Sequence, residues 1–160
     1  MNFFDKIKFG RFLNNLSITK IDTLSGIEFE EFIKDFFEYL GYQSSLTAQS
    51  GDNGIDVIAK HKRYLIGIQT KLYYNHNVNN KAVQEVYSGK SYYKLDYAMV
   101  ITNWKLSSPA WDLANTLGVM VIDRNLLSTM LKNTKKQNIQ LINELINKLS
   151  AGVNNDKISC

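Results

Sequence analysis

The sequence predicts one α/β domain, a mixed central sheet flanked by helices, with elements in the order α-β-β-β-α-β-α-β-α-α. Three observations carry this. Apolar residues at helical spacing follow a helix-start signature at Ser25. Two strand-like runs, residues 55–59 and 64–72, flank a short basic turn and read as a hairpin. Beyond them, the continuously apolar run from Tyr97 to Ile101 lies between helical patterns, as a strand buried on both faces does. At 160 residues the chain has the length of one domain. A domain of this size buries about 68–70% of its unfolded surface and needs no disulfide or metal to fold.

Residues 1–21 read as a lead-in, with Phe3, Phe4, Ile7, Phe9 and Phe12 among Lys6, Lys8 and Arg11. That mixture suits either packing on the domain or a helix lying on a membrane surface or a partner. The domain proper is expected over 22–132, followed by a helix over 133–150 and a polar tail over 151–160. Ser25-Gly26-Ile27-Glu28 has the form of a capping box. Phe29, Ile33, Phe36 and Leu40 then recur at helical spacing, Phe32 and Phe37 widen the stripe, and Gly41 suits the position that ends a helix. A first strand is expected over residues 42–47. The turn Ser50-Gly51-Asp52-Asn53-Gly54 is dense in residues that tolerate positive φ. Asn79 or Asn80 caps a helix reaching about Tyr92, with Ala82, Val83 and Val86 facing inward. Ser108 as N-cap, with Pro109 at the first helical position, opens a helix ending at Gly118. Residues 119–122 form a short last strand, and Asp123 caps the next helix. Ile139, Ile142, Ile146 and Leu149 mark a final one.

Composition excludes several classes. Hydrophobic residues make up 44% and charged residues 21%, a globular balance rather than a disordered one. The longest apolar run, Tyr97-Ala98-Met99-Val100-Ile101, is far short of the roughly 18 residues of a spanning helix, so no transmembrane segment is expected. Met1-Asn2-Phe3-Phe4-Asp5-Lys6 lacks the apolar core of a signal peptide. The single cysteine, Cys160, cannot form an intrachain disulfide, which fits a reducing, cytoplasmic location. Together with His61 and His76, which lie in polar stretches expected to be solvated, it is too little for a Cys/His zinc site. The net charge of +4 favours an anionic partner such as nucleic acid.

The polar residues inside the hairpin are the informative ones. Asp56 interrupts an apolar strand, and Gln69 and Lys71 stand in its partner. Strand side chains alternate, so Gln69 and Lys71 share a face with Leu65 and Gly67, and Asp56 shares its own with Ile58. If the two faces coincide, a carboxylate, an amide and an ammonium converge, with Gly67 leaving room above the sheet for a ligand. The simpler alternative is an Asp56–Lys71 ion pair at an exposed sheet edge. Lys60, Lys62, Arg63, Lys81 and Lys90 are candidates to touch backbone phosphates, and Tyr73 to stack on bases or line a DNA cleft. Each also reads as an ordinary surface charge or half-buried ring.

The pattern is shared with a known family. Gly26-Ile27-Glu28-Phe29-Glu30, Leu40-Gly41-Tyr42, the stretch from Ser50 to Asp56, and Gln69-Thr70-Lys71 stand in order. So do the stretches Val83–Gly89, Val100–Asn103, Ala110–Ala114 and Val121–Asp123. Over roughly residues 22–131 this resembles the catalytic domain of Mrr-type restriction endonucleases, in the Q-x-K branch of the PD-(D/E)xK nucleases. The resemblance implies a restriction-endonuclease-like fold and an endonuclease hydrolysing DNA phosphodiesters with Mg²⁺, Mn²⁺ being able to substitute. It implies that Asp56, Gln69 and Glu30 hold the metal and that Lys71 serves the attacking water and the phosphate charge. Asn53 departs from the glycine common there, a change of turn chemistry that Asn tolerates. Asp52 reads equally as a supporting acid or a turn residue. Target choice is expected to lie in a homodimer, a separate recognition partner or nucleic-acid shape. The rival readings are a structure-specific nuclease such as a Holliday junction resolvase, a catalytically silent DNA-binding module, and a membrane-surface or partner-binding adaptor working through residues 1–20.

Overall fold

The computed structural model describes residues 1–47, 53–62, 64–135 and 139–150. Three helices precede the sheet: α1 (Phe3–Asn15), α2 (Ile18–Ile21) and α3 (Gly26–Tyr39). There follow β1 (Gln43–Leu46), β2 (Val57–Lys60), β3 (Leu65–Lys71), α4 (Asn80–Tyr92), β4 (Tyr97–Thr102), α5 (Ser108–Leu117), β5 (Met120–Ile122), α6 (Arg124–Lys135) and α7 (Ile139–Ser150). The strands lie in the order β1-β2-β3-β4-β5. β2 runs antiparallel to both β1 and β3, and β3, β4 and β5 run parallel, giving a mixed sheet flanked by helices, as expected. Asp52, Arg63 and the tail over 151–160 lie outside the described residues.

Two apolar layers sandwich the sheet. On one face the α3 side chains Phe29, Phe32, Ile33, Phe36 and Phe37 meet Val57, Ala59, Ile66, Ile68, Met99 and Ile101. Burial of each such side chain stabilises by about 1.5–3 kcal/mol, and this stripe holds α3 against the hairpin. On the other face Ala82, Val83 and Val86 of α4, with Ala110 and Ala114 of α5, cover Ala98, Val100 and Val121. The α3 capping box forms as its sequence indicates. Ser25 N donates to Glu28 Oε2 at 2.7 Å, and Glu28 N donates to Ser25 Oγ at 3.3 Å. The Ser25 backbone donor is the main reason the Glu28 carboxyl is held below its usual range.

Four features differ from the sequence expectation. Residues 1–21 fold as two helices ahead of the expected element order, because Leu13, Leu16 and Ile21 are buried in the α3 layer while Phe4 and Phe12 stay exposed. The α5 cap is Ser107, whose Oγ accepts from Ala110 N at 3.3 Å, one residue earlier than Ser108; proline tolerates any place in a first turn. His61 is not a solvated loop residue: its ring stacks on Tyr64 with centroids 4.8 Å apart and lies 5.3 Å from Tyr42. Gly67 leaves no room for a ligand, because a Cβ there would strike Leu95 Cδ1 and come within 2.7 Å of Ile55 Cδ1. The glycine is a packing requirement of the α4 face.

Candidate active site

The hairpin register decides what meets what. Val57 pairs with Ile68 and Ile58 with Gly67, so Asp56, one step before the ladder, stands across from Gln69. Asp56 N donates to Ile68 O at 2.8 Å, a bond to the residue that already faces Val57, just before β2 begins. The two faces therefore coincide. Gln69 Nε2 donates to Asp56 Oδ2 at 2.6 Å. Thr70 adds two more donors to the same oxygen, its backbone N–H at 2.6 Å and its hydroxyl at 2.9 Å. All three residues are buried. A carboxylate only accepts, so the amide nitrogen of Gln69 must face it, and Oε1 is the acceptor left for another ligand.

The backbone before Asp56 is shaped by close approach to α4. Asn53 and Gly54 both have positive φ, 49° and 80°. A Cβ on Gly54 would lie 2.6 Å from the Glu85 carbonyl group, and one on Gly89 would strike the Asn53 carbonyl oxygen and come within 2.6 Å of Ile55 Cγ1. Glycine at both positions lets the helix lie directly on the turn that delivers Asp56.

A hollow of about 300 Å³ opens at this end of the hairpin, lined by Glu30, Gly54, Asp56, Gln69, Thr70, Lys71 and Glu85. Glu30 comes from α3 on one face and Glu85 from α4 on the other. Lys71 Nζ lies 3.4 Å from Glu85 Oε2, and Lys81 Nζ lies 3.7 Å from Glu85 Oε1. Glu85 and Thr70 carry no assignment from the sequence reasoning. Strand alternation turns Thr70 away from the face of Gln69, and only the position of Asp56 ahead of the ladder lets both reach it. For Glu85 a signal existed, since Gly89 in mid-helix four residues on marks a close approach.

The structure brings Glu30, Asp56, Gln69 and Lys71 to one hollow, and Lys81 to its rim through Glu85. Tyr73 follows Lys71 closely; its N–H donates to Asn103 Oδ1 at 2.8 Å and its ring lies 4.0 Å from that of His76. Lys60 and Lys62 lie elsewhere. Lys60 pairs with Leu65, six residues before Lys71 on β3, or about 20 Å along the strand. Lys90 lies five residues past Glu85 on α4, about 7.5 Å further along its axis.

The donor set of the hollow suits the divalent metal that the resemblance implies. Among the described residues no three His, Cys, Asp or Glu side chains group closely enough to cage an ion. What the hollow offers is the Asp56 carboxylate, the Gln69 amide oxygen and the neighbouring Glu30, all oxygen donors. That fits Mg²⁺, which keeps several waters and takes one or two carboxylates.

Among the described residues no helix is long and apolar enough to cross a membrane. No curated protein matches the chain closely enough to count as a relative. Of solved structures, AF1548, a protein of unknown function, matches with a TM-score of 0.51 at 18% identity, over 59% of this chain and 55% of that one; the likeness is one of fold. MspJI restriction endonuclease, solved with a 27-mer oligonucleotide, matches with a TM-score of 0.45 at 16% identity, over 94% of this chain and 35% of that one. The chain thus spans about half the length of the first and a third of the second. The Mrr_cat family model, described as restriction endonuclease, matches residues 21–131, well over half of the chain, and the protein belongs to that restriction endonuclease family.

Proposed function

We propose that the protein is a Mg²⁺-dependent DNA endonuclease of restriction or defence type, cutting phosphodiester bonds in the hollow between α3 and α4. The observation that carries this is the convergence of Asp56, Gln69 and Lys71 in one polar hollow with Glu30 at its wall. Asp56, Gln69 through Oε1, and Glu30 would hold the metal. Bound there, Mg²⁺ supplies polarisation of the phosphoryl oxygen and a water of lowered pKa. Asp56 is kept in place by its three donors, so little reorganisation accompanies binding. Lys71 presents its ammonium to the phosphate and offsets the negative charge that grows there.

Affinity in this reading comes from cations meeting backbone phosphates. Lys81 is at the rim, 77% exposed, and would exchange its Glu85 partner for a phosphate next to the scissile one. Lys60 and Lys62, with Arg63 beside them in sequence, would touch phosphates roughly six nucleotides away at about 3.4 Å per nucleotide. Tyr73 would line the cleft wall.

The test is incubation of the protein with supercoiled, linear, single-stranded, methylated and four-way-junction DNA, with Mg²⁺, with Mn²⁺ and with excess chelator. Cleavage only with metal, and binding that weakens steeply with salt, are the expected results. Full activity in chelator would sink the metal-dependent mechanism. Binding without cleavage on every substrate would favour a silent DNA-binding module, and cutting restricted to junctions a resolvase.

A further inference from the structure

We propose that Glu85 is a positioning residue for Lys71, fixing the ammonium relative to Asp56; this rests on the nuclease reading above. Lysine is a flexible four-carbon stem with a point charge at its tip, and left alone it samples many rotamers. In this hollow one carboxylate oxygen of Glu85 lies 3.4 Å from Lys71 Nζ while the other faces Lys81 at 3.7 Å. Lys71 is 25% exposed and Glu85 33%, whereas Lys81 is 77% exposed. The pair with Lys71 is therefore the sheltered one.

The backbone of Glu85 provides the second half of the device. Its carbonyl is the group against which Gly54 packs, at 2.6 Å from a Cβ built on that glycine. Gly54 lies two residues before Asp56. One residue of α4 thus touches the turn that delivers the acid with its main chain, and holds the lysine with its side chain. A shift of α4 would move both reference points together, and the Asp56–Lys71 spacing would survive it.

Stability alone gives little reason for this carboxylate, since ion pairs this exposed contribute about 0–1 kcal/mol. For DNA binding it is unfavourable, because a negative charge at the phosphate site repels the ligand. Removing the charge therefore leaves binding equal or tighter whether or not Glu85 positions Lys71, and only the rate distinguishes the two cases. If Glu85 positions Lys71, removing its charge keeps or improves DNA affinity while slowing turnover.

The experiment compares wild type, Glu85→Gln and Glu85→Asp in four measurements: thermal midpoint, duplex affinity in chelator, single-turnover cleavage at saturating DNA with Mg²⁺, and NMR mobility of the Lys71 ammonium. Expected for Glu85→Gln are an unchanged midpoint, equal or tighter binding, a cleavage rate lower by about 10- to 100-fold, and a freed ammonium. Glu85→Asp should retain more rate and more order than Glu85→Gln. Wild-type cleavage rate in Glu85→Gln, or equal ammonium mobility in both, overturns the proposal. So does a rate loss matched by a lower midpoint and weaker binding. If wild type cuts nothing, the nuclease reading fails by itself, and the ammonium mobility still decides whether Glu85 orders Lys71.

Discussion

Gln69 donates its side-chain N–H to Asp56 Oδ2 at 2.6 Å, one step beyond the Val57–Ile68 pair that ends the β2–β3 ladder. The amide therefore does two jobs that a carboxylate at the same place could not combine. It steadies the acid through nitrogen and leaves its oxygen for the cation of the proposed mechanism.

Substitution at Gln69 should separate these jobs. Gln69→Glu places two carboxylates in contact, which without a cation is repulsive. Its thermal midpoint should fall in chelator and recover as Mg²⁺ is added, because a ligand that binds only the folded state stabilises it. Gln69→Ala should show little metal-linked recovery and lose roughly 10²-fold or more in cleavage rate, the scale of one positioned electrostatic group. The check is a Mg²⁺ titration of both midpoint and rate. Identical curves for wild type and both variants would remove Gln69 from the metal site.

Asp56→Asn should fold, since the amide oxygen can take the place of Oδ2 and accept from Gln69 and Thr70. It should not cleave, having lost the charge that holds the cation. Lys71→Ala should likewise fold and fail to cleave, with DNA affinity reduced by no more than one phosphate contact. Circular dichroism, midpoint and plasmid cleavage measured together decide this. Either variant cutting at close to the wild-type rate would show that the roles are misassigned.

Gly89→Ala should destabilise, although helix propensity argues the other way. Alanine in place of glycine favours a helix by about 1 kcal/mol. The new methyl would meet the Asn53 carbonyl oxygen and Ile55, and a backbone oxygen cannot turn aside. Overpacking of this kind costs about 1–3 kcal/mol, so the clash wins. Gly26→Ala, with nothing within 4 Å, should be neutral or slightly stabilising. Unfolding free energies from denaturant titration should show Gly89→Ala as the less stable of the two variants, by about 1 kcal/mol or more.

Asp22 should make stability depend on acid pH. Arg124 Nη1 and Nη2 reach its two oxygens at 2.7 and 2.9 Å, and Asn103 Nδ2 donates to one of them at 2.9 Å. The Arg124 bonds, then Asn103, hold the Asp22 carboxyl below its usual value of 3.8. A depressed carboxyl contributes its full stability above the unfolded pKa and loses it as pH falls through the folded one. The midpoint advantage of wild type over Asp22→Asn should therefore be constant at neutral pH and shrink below about pH 4. A difference that stays the same down to about pH 2.5 would show that the ion pair adds nothing.

Local signals determined much of this protein. The capping box at Ser25 and Glu28 is read within four residues, and the structure forms both of its bonds. The phenylalanine stripe, the hairpin and the doubly buried strand β4 follow from periods of 3.6 and 2 in the chain. The meeting of Asp56 with Gln69 was legible as a condition, namely that two faces coincide. Whether it was met depended on register, and a slip of one residue would have sent every side chain to the other face.

Tertiary packing decided the rest. The first 21 residues carry a blurred pattern, and only the α3 layer reveals which of their apolar groups, Leu13, Leu16 and Ile21, are buried. Gly67 looked like space over the sheet, yet Leu95 from beyond α4 fills it. The sequence offers Lys60 and Lys62 as phosphate contacts without saying how far they lie from Lys71, and the length of β3 puts Lys60 at its other end. Glu85 reaches the hollow because a helix and a turn, separate in sequence, pack backbone to glycine, and Thr70 meets Asp56 because that acid stands ahead of the ladder. Caps and periods are written within a turn or two of chain, whereas what stands opposite a side chain is set by contacts between segments tens of residues apart.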